Sequence, residues 1–268
     1  MSSLSTMVLR LAGPLQSWGS VSQFNRRETD PEPTKSAVIG LLAAADGRRR
    51  EDPLEDLLKL RFAVRVDQAG TLLRDYHTVS DFRGGDLRSS EVTAKGEQKR
   101  NRGKATAVTE RFYLQDAVFV VALEGEKSLI EGLSASIVSP GFPLALGRRS
   151  CVPTLPILLK NPSGGPTWSE EPEGVLATVQ WQAGVAERRR HERDSPSPET
   201  VQLSMTIDDP LGVDRRTDVP VSFEPRSRGF ATRSVSSRWI SCPTGLKPLE
   251  TRATEGRDVH DPFALLGW

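Results

Sequence analysis

Few residues in this chain have the type and spacing to do chemistry. Tyr76-His77-Thr78 comes first, because His77 is the only histidine in the well-patterned half of the sequence. A neutral imidazole is the side chain best matched to a general base near pH 7. Metal-free cleavage of RNA would need such a base for the 2′-hydroxyl, an acid for the leaving oxygen and a cation for the phosphorane. Tyr76 and His77 are neighbours in what reads as a strand, so they point to opposite faces and do not readily share one site. A structural or RNA-contacting histidine is the better-supported role. No Ser-His-Asp order, Gly-x-Ser-x-Gly motif, paired carboxylate or metal-spaced acidic cluster stands out, and Cys151 and Cys242 have no partner at zinc spacing.

Three further segments have the chemistry of binding. Gly147-Arg148-Arg149 sits among prolines after a helical stretch, where backbone N–H groups and arginine forks can meet phosphates. Taken alone, the tripeptide favours an ordinary turn with two solvated arginines. Residues 95–111 carry six basic side chains (Lys95, Lys99, Arg100, Arg102, Lys104, Arg111) against Glu97 and Glu110. Such a run closes over a nucleic-acid strand or is a solvated loop. It has no aromatic between Phe82 and Phe112 and so is no stacking platform by itself. Trp18, at a glycine-rich corner, is a base-stacking or partner-contacting residue in one reading and a core aromatic in the other, which is the commoner fate of a lone tryptophan.

The elements that position these residues follow from periodicity. Residues 7–12 read as a first strand ended by Gly13-Pro14, and residues 15–33 as a polar loop. Thr34 is a predicted N-cap for an apolar helix over 37–45, and residues 53–60 form a short second helix. Residues 60–66 alternate as a strand with Phe62, Val64 and Val66 on one face, and residues 71–79 return as its hairpin partner. Residues 80–108 have almost no apolar content and read as an insertion. Strands are predicted over 109–114 and 117–123, the second of them central, followed by a helix over 127–137. Beyond Cys151, short strands are predicted at 174–180, 202–207, 219–223 and 232–240, with Arg188-Arg189-Arg190-His191 and residues 195–198 in an exposed loop. The fold class expected is α+β: a ferredoxin-like (RRM-like) sheet with an insertion at one edge or end.

Composition narrows the classes of function. The chain has 268 residues, room for one large or two modest domains. No apolar run approaches a membrane span and the first residues lack a signal-peptide pattern, so a cytoplasmic location is expected. Net charge is only +1, which argues against blanket nucleic-acid binding. Arginine outnumbers lysine by 28 to 8. Arginine is the better residue for bidentate phosphate contact and for stacking, although a GC-rich genome produces the same bias.

Taken in order, several segments resemble one family. They are Leu9-Arg10-Leu11-Ala12-Gly13-Pro14-Leu15-Gln16-Ser17-Trp18-Gly19, Thr34-Lys35-Ser36-Ala37-Val38-Ile39-Gly40-Leu41-Leu42, Arg65-Val66-Asp67 with Leu72-Leu73-Arg74-Asp75-Tyr76-His77-Thr78-Val79, Tyr113-Leu114-Gln115-Asp116-Ala117, and Leu146-Gly147-Arg148-Arg149-Ser150-Cys151-Val152-Pro153. Together they resemble the CasD family, which is Cas family five of the RAMP superfamily, over residues 7–156; from 157 onward the match is loose. The resemblance implies a modified RRM domain over 1–156, with a thumb at 80–108 and a glycine-rich loop at 143–149. A smaller β-rich portion over 157–268 follows. It implies a non-catalytic RNA-binding subunit of the type I-E CRISPR Cascade complex that caps the 5′ handle of the CRISPR RNA. A metal-independent endoribonuclease, as in type I-C systems, is the alternative.

Implied partners are the CRISPR RNA, the adjacent Cas family-seven backbone subunit, the large subunit CasA and, through the complex, target DNA. No cofactor or metal is implied. The RNA-contacting residues carried over are Gln16, Ser17, Trp18, Gly19, Arg26 and Arg27 at the corner, Lys35 and Ser36 at the first helix, and His77. Lys99, Arg100, Arg102 and Arg111 follow in the thumb, then Pro143, Leu144, Leu146, Gly147, Arg148 and Arg149 in the glycine-rich loop. Lys35 and Ser36 suit a phosphate because a helix N-terminus offers free N–H groups.

Overall fold

The computed structural model describes residues 4–19, 22–23, 25–80, 106–193, 198–224 and 227–246. The first half of the chain forms β1 (Leu4–Ala12), β2 (Leu15–Gln16), β3 (Ser22–Gln23), β4 (Arg26–Arg27), α1 (Lys35–Ala45), α2 (Glu55–Leu58), β5 (Arg61–Gln68), β6 (Thr71–Ser80), β7 (Thr106–Gln115), β8 (Val118–Glu126) and α3 (Lys127–Val138). The second half forms β9 (Thr167–Trp168), α4 (Pro172–Thr178), α5 (Val185–Glu192), β10 (Thr200–Asp208), β11 (Asp214–Ser222) and β12 (Gly229–Pro243).

The architecture is mixed α/β around a large antiparallel sheet of order β11-β12-β10-β5-β8-β1-β9. β8, apolar throughout its first six residues, lies between β5 and β1 as a central strand should. Strands buried on both faces read as continuous apolar runs, and both faces here are covered. On one face α1 and α3 pack Val38, Ile39, Leu42, Ile130 and Leu133 against Leu9, Phe62, Phe119 and Val121. On the other, α4 brings Val175 and Leu176 against Val8, Val120, Met205 and Ile207. The strands from the second half extend the same sheet through the pairing of β10 with β5. Thr34 caps α1, accepting from Ala37 N–H through its hydroxyl.

A second, smaller sheet positions the residues of interest. β7 pairs antiparallel with β6 along its full length, and with β2 and then β4 beside it. The expected hairpin between residues 60–66 and 71–79 therefore does not form: β5 joins the large sheet and β6 leaves it for β7. The chain turns at Gly70, whose φ of +72° suits glycine. A Cβ there would meet Gln115 O at 2.4 Å and Ala117 N at 2.8 Å. The insertion is also shorter than expected, since β7 starts at Thr106, paired with Ser80. Two assignments after residue 157 are corrected. Residues 172–178 are helical, because Pro172 starts a helix whose Val175 and Leu176 face the sheet. The Arg188–His191 segment lies in helix α5, with basic residues in its last turn.

Candidate nucleic-acid interface

The corner after β1 is held from within. Gln16 is buried and donates through Nε2 to Leu11 O (3.1 Å) and Ala117 O (2.7 Å). Its Oε1 accepts from Trp18 Nε1 at 3.2 Å. Trp18 is fully buried, edge-on to Phe119 at 6.5 Å between centroids. Its backbone is tied to Thr29 and Asp30, N–H to Oγ1 and C=O to N–H, both at 2.8 Å. Both side chains are therefore structural supports of the corner; Trp18 takes the core role. Ser17 is buried too, its hydroxyl donating to Phe112 O at 3.2 Å. Gly19 is exposed.

The glycine-rich loop docks onto this corner. Ser17 N–H donates to Leu146 O at 3.1 Å, and Leu146 is fully buried. Pro143 and Gly147 are exposed and Leu144 is half-buried. Arg148 works as a strap. Its guanidinium donates to Phe112 O (3.0 Å) and Arg27 O (2.7 Å) and lies over the Tyr113 ring at 4.7 Å. It joins the loop, β4 and β7. Arg149 is exposed, with no side-chain partner among the described residues.

Strand register sorts the small sheet into two faces. Asp75, His77, Thr109, Arg111 and Arg27 share one. Arg74, Tyr76, Glu110, Phe112 and Arg26 share the other. Arg26 is exposed, pairs with Glu28 at 2.7 Å and lies over Phe112 at 5.0 Å. Arg27 is exposed beside half-buried Arg111. On the same face, Arg111 Nε and His77 Nδ1 are buried atoms with no hydrogen-bond partner among the described residues. Tyr76 stands 65% exposed on the opposite face from His77.

Lys35 and Ser36 are elsewhere and turned inward. Lys35 is only 5% exposed; its Nζ donates to Asp208 (2.8 Å) and to Leu60 O (2.8 Å). The first N–H of α1 already has an anion, since Lys35 N–H donates to Asp218 Oδ2 at 2.8 Å. The expected phosphate position at this helix end is thus filled by the protein's own carboxylate, which Arg233 also clamps. Ser36 is buried, 3.2 Å from the Thr34 hydroxyl. Lys99, Arg100 and Arg102 lie outside the described residues.

The structure brings together Ser17, Arg26, Arg27, His77, Arg111, Arg148 and Arg149 around β7 and leaves Lys35 and Ser36 apart. Phe112 and Tyr113 were not singled out by sequence reasoning, yet they organise the site: one ring under Arg26, the other under Arg148, and a carbonyl that orders Ser17 and Arg148. The signal was present in the alternation of Arg111, Phe112 and Tyr113 along a strand. Among the described residues no group of three His, Cys, Asp or Glu side chains could hold a metal, and no helix is long and apolar enough to cross a membrane.

Comparison with known proteins agrees in sequence and in fold. A family model described as CRISPR-associated protein (Cas_Cas5) matches residues 6–236. The chain is 36% identical over 199 residues to the CRISPR system Cascade subunit CasD of Escherichia coli (strain K12), covering 62% of this chain and 82% of that protein. It superposes on a chain of a CRISPR RNA-guided surveillance complex with a TM-score of 0.66 and 34% identity, covering 89% of this chain and 91% of the other. A second solved structure, a crystal structure of a Cas protein, gives a TM-score of 0.62 at 34% identity, covering 89% and 95%.

Proposed function

This chain belongs to the Cas5 family of CRISPR-associated proteins, and from that premise we propose that it is a non-catalytic RNA-binding subunit of a Cascade-type surveillance complex, capping the 5′ handle of the CRISPR RNA. The observation that carries the reading is the basic face of the small sheet. Arg27 lies beside Arg111 there, with Asp75 opposite Arg111 and His77 the next same-face residue along β6, and Arg111 Nε and His77 Nδ1 are buried without partners among the described residues. Exposed Arg149 sits on the adjoining loop. A buried donor left unpaired is costly, and the oxygens of an RNA backbone are the acceptors that arginine forks match best. The rigid corner of Gln16, Ser17 and Trp18 sets the spacing of this face and does not itself reach solvent.

In this reading β1-α1-β5-β8-α3-β9 is the ferredoxin-like unit. Its sheet order β9-β1-β8-β5 is all antiparallel, with α1 and α3 on one face. The β6–β7 ribbon is the root of the thumb. The subunit works in the cytoplasm beside a Cas family-seven subunit and the large subunit CasA, and meets target DNA only through the complex. The alternative, a metal-independent endoribonuclease, is disfavoured because Tyr76 and His77 stand on opposite faces of β6 and Lys35 is tied to Asp208.

Filter binding with repeat-derived RNA, with and without the handle, tests the proposal. Affinity should depend on the handle and fall in the Arg27→Ala/Arg111→Ala double variant. Equal affinity for both RNAs sinks it. Specific cleavage in EDTA that His77→Ala abolishes would replace it with the nuclease reading.

A further inference from the structure

Helix α5 lies on the surface with little beneath it. Over residues 185–193, Arg188, Arg189, Arg190, Arg193 and His191 are set against only Glu187 and Glu192. None of residues 185–192 is buried. So short and polar a helix is marginal in water on its own, and this one is seated from one side. Gly184 N–H donates to Gln68 Oε1 at 2.9 Å, and the Arg188 guanidinium donates to Trp181 O at 2.9 Å. The His191 ring lies edge-on to Trp181, 4.7 Å between centroids. Trp181 is itself buried and donates through Nε1 to Asp67 O at 2.8 Å. These contacts fix α5 to the end of β5.

The seating sorts the charges. Glu187, Arg188 and His191 share one face of the helix and are half-buried. Arg189, Arg190 and Arg193 are exposed on the outer side. Arg190 pairs with Glu187 at 3.0 Å. Arg189 and Arg193, one turn apart, have no side-chain partner among the described residues. Like charges at this spacing repel, and an anion placed between them turns the repulsion into attraction. Phosphate is an anion that the guanidinium fork matches. The shape of the element selects the kind of phosphate backbone. A helix about 10–12 Å across with a free outer face fits the major groove of B-DNA, which is about 12 Å wide. The major groove of duplex RNA is too narrow and deep to read. Single strands are held by stacking on aromatic rings, and residues 185–193 contain no Phe, Tyr or Trp.

We propose that α5 is a docking helix for double-stranded DNA, with Arg189, Arg190 and Arg193 on the phosphates that flank the major groove. The proposal goes beyond RNA capping and uses a different surface, since α5 is seated on β5 and the face assigned to RNA belongs to the small sheet. Fluorescence anisotropy of a labelled duplex of random sequence, titrated with the full chain at low salt, tests it. Arg189→Ala/Arg193→Ala should weaken duplex binding about tenfold or more and lower the slope of log affinity against log salt by about two. Arg189→Lys/Arg193→Lys should keep most of the affinity, because the charge stays. Arg49→Ala/Arg50→Ala removes the same charge from the exposed segment after α1 and should leave duplex binding unchanged. Affinity for handle RNA should be the same in all three variants, so a failure of the RNA reading shows separately. An absence of duplex binding by the wild type overturns the proposal, as do equal losses in the two alanine pairs. So does intact duplex binding in an Arg189→Ala/Arg193→Ala variant that fails to assemble, which would assign α5 to a protein partner.

Discussion

Gly147 and Ser17 meet backbone to backbone. A Cβ on Gly147 would lie 1.8 Å from Ser17 O, and Gly147 has a φ of +90°. No side chain fits there, so this contact latches the glycine-rich loop to the corner. Gly147→Ala should cost at least about 1–3 kcal/mol of backbone strain, with the overlap in addition. A lower melting temperature and weakened RNA binding are expected; an unchanged melt would show that the latch is dispensable.

Arg148 and Arg149 are adjacent but differently used. Arg148 spends its guanidinium on Phe112 O, Arg27 O and the Tyr113 ring, whereas Arg149 is exposed. Arg149→Ala should weaken RNA binding and leave the melting temperature unchanged. Arg148→Ala should lower both. Identical behaviour of the two variants in melting and filter-binding titrations would contradict this division.

Arg65 and Asp67 form a fully buried ion pair on β5, Nε to Oδ1 at 2.7 Å. Arg65 also donates to Leu176 O, Val179 O and Gln180 O at the end of α4, and Asp67 accepts from Gln182 N–H at 2.6 Å. Removing one member leaves a buried charge. Asp67→Ala should destabilise by about 3–5 kcal/mol, measured by urea denaturation. A loss under about 1 kcal/mol, the value of an exposed pair, would show that water reaches the site.

Burial raises the Glu32 carboxyl above the usual carboxylate range, with Arg216, the Thr206 hydroxyl and Arg233 pulling it back and Asp218 adding to the rise. An acid whose folded pKa lies above its unfolded one adds stability below the unfolded value and loses it as pH rises through the folded one. Glu32→Gln keeps an acceptor for Thr206 and removes the titration. The melting temperature of the variant minus that of the wild type should therefore increase from about pH 4.5 to pH 7.5. A difference that is flat or falling with pH would mean that the pairing with Arg216 outweighs burial.

Lys35→Met should lower stability while leaving RNA affinity per folded molecule unchanged, because Nζ is bound to Asp208 and Leu60 O. A selective loss of RNA affinity would return Lys35 to the interface.

The sequence by itself determined the elements whose signal is local. The Thr34 cap, the apolar α1, the continuous run of β8 and the clustering of arginines near residues 26 and 148 were legible because caps, periodicity and charge are properties of neighbours in the chain. Residues 174–180 misled because Val175, Leu176 and Val179 suit a strand as well as one helix turn, and packing against β8 decided for the helix. Strand partnership was decided only in three dimensions. β6 follows β5 through a glycine turn, yet pairs with β7, because β8 and β10 already occupy both edges of β5. The fate of each basic residue was also a tertiary matter. Lys35 and Arg149 carry the same charge, but a carboxylate contributed by β10 neutralises one and nothing described covers the other. Charge is written in the residue type; whether it meets solvent depends on which distant groups the fold brings beside it.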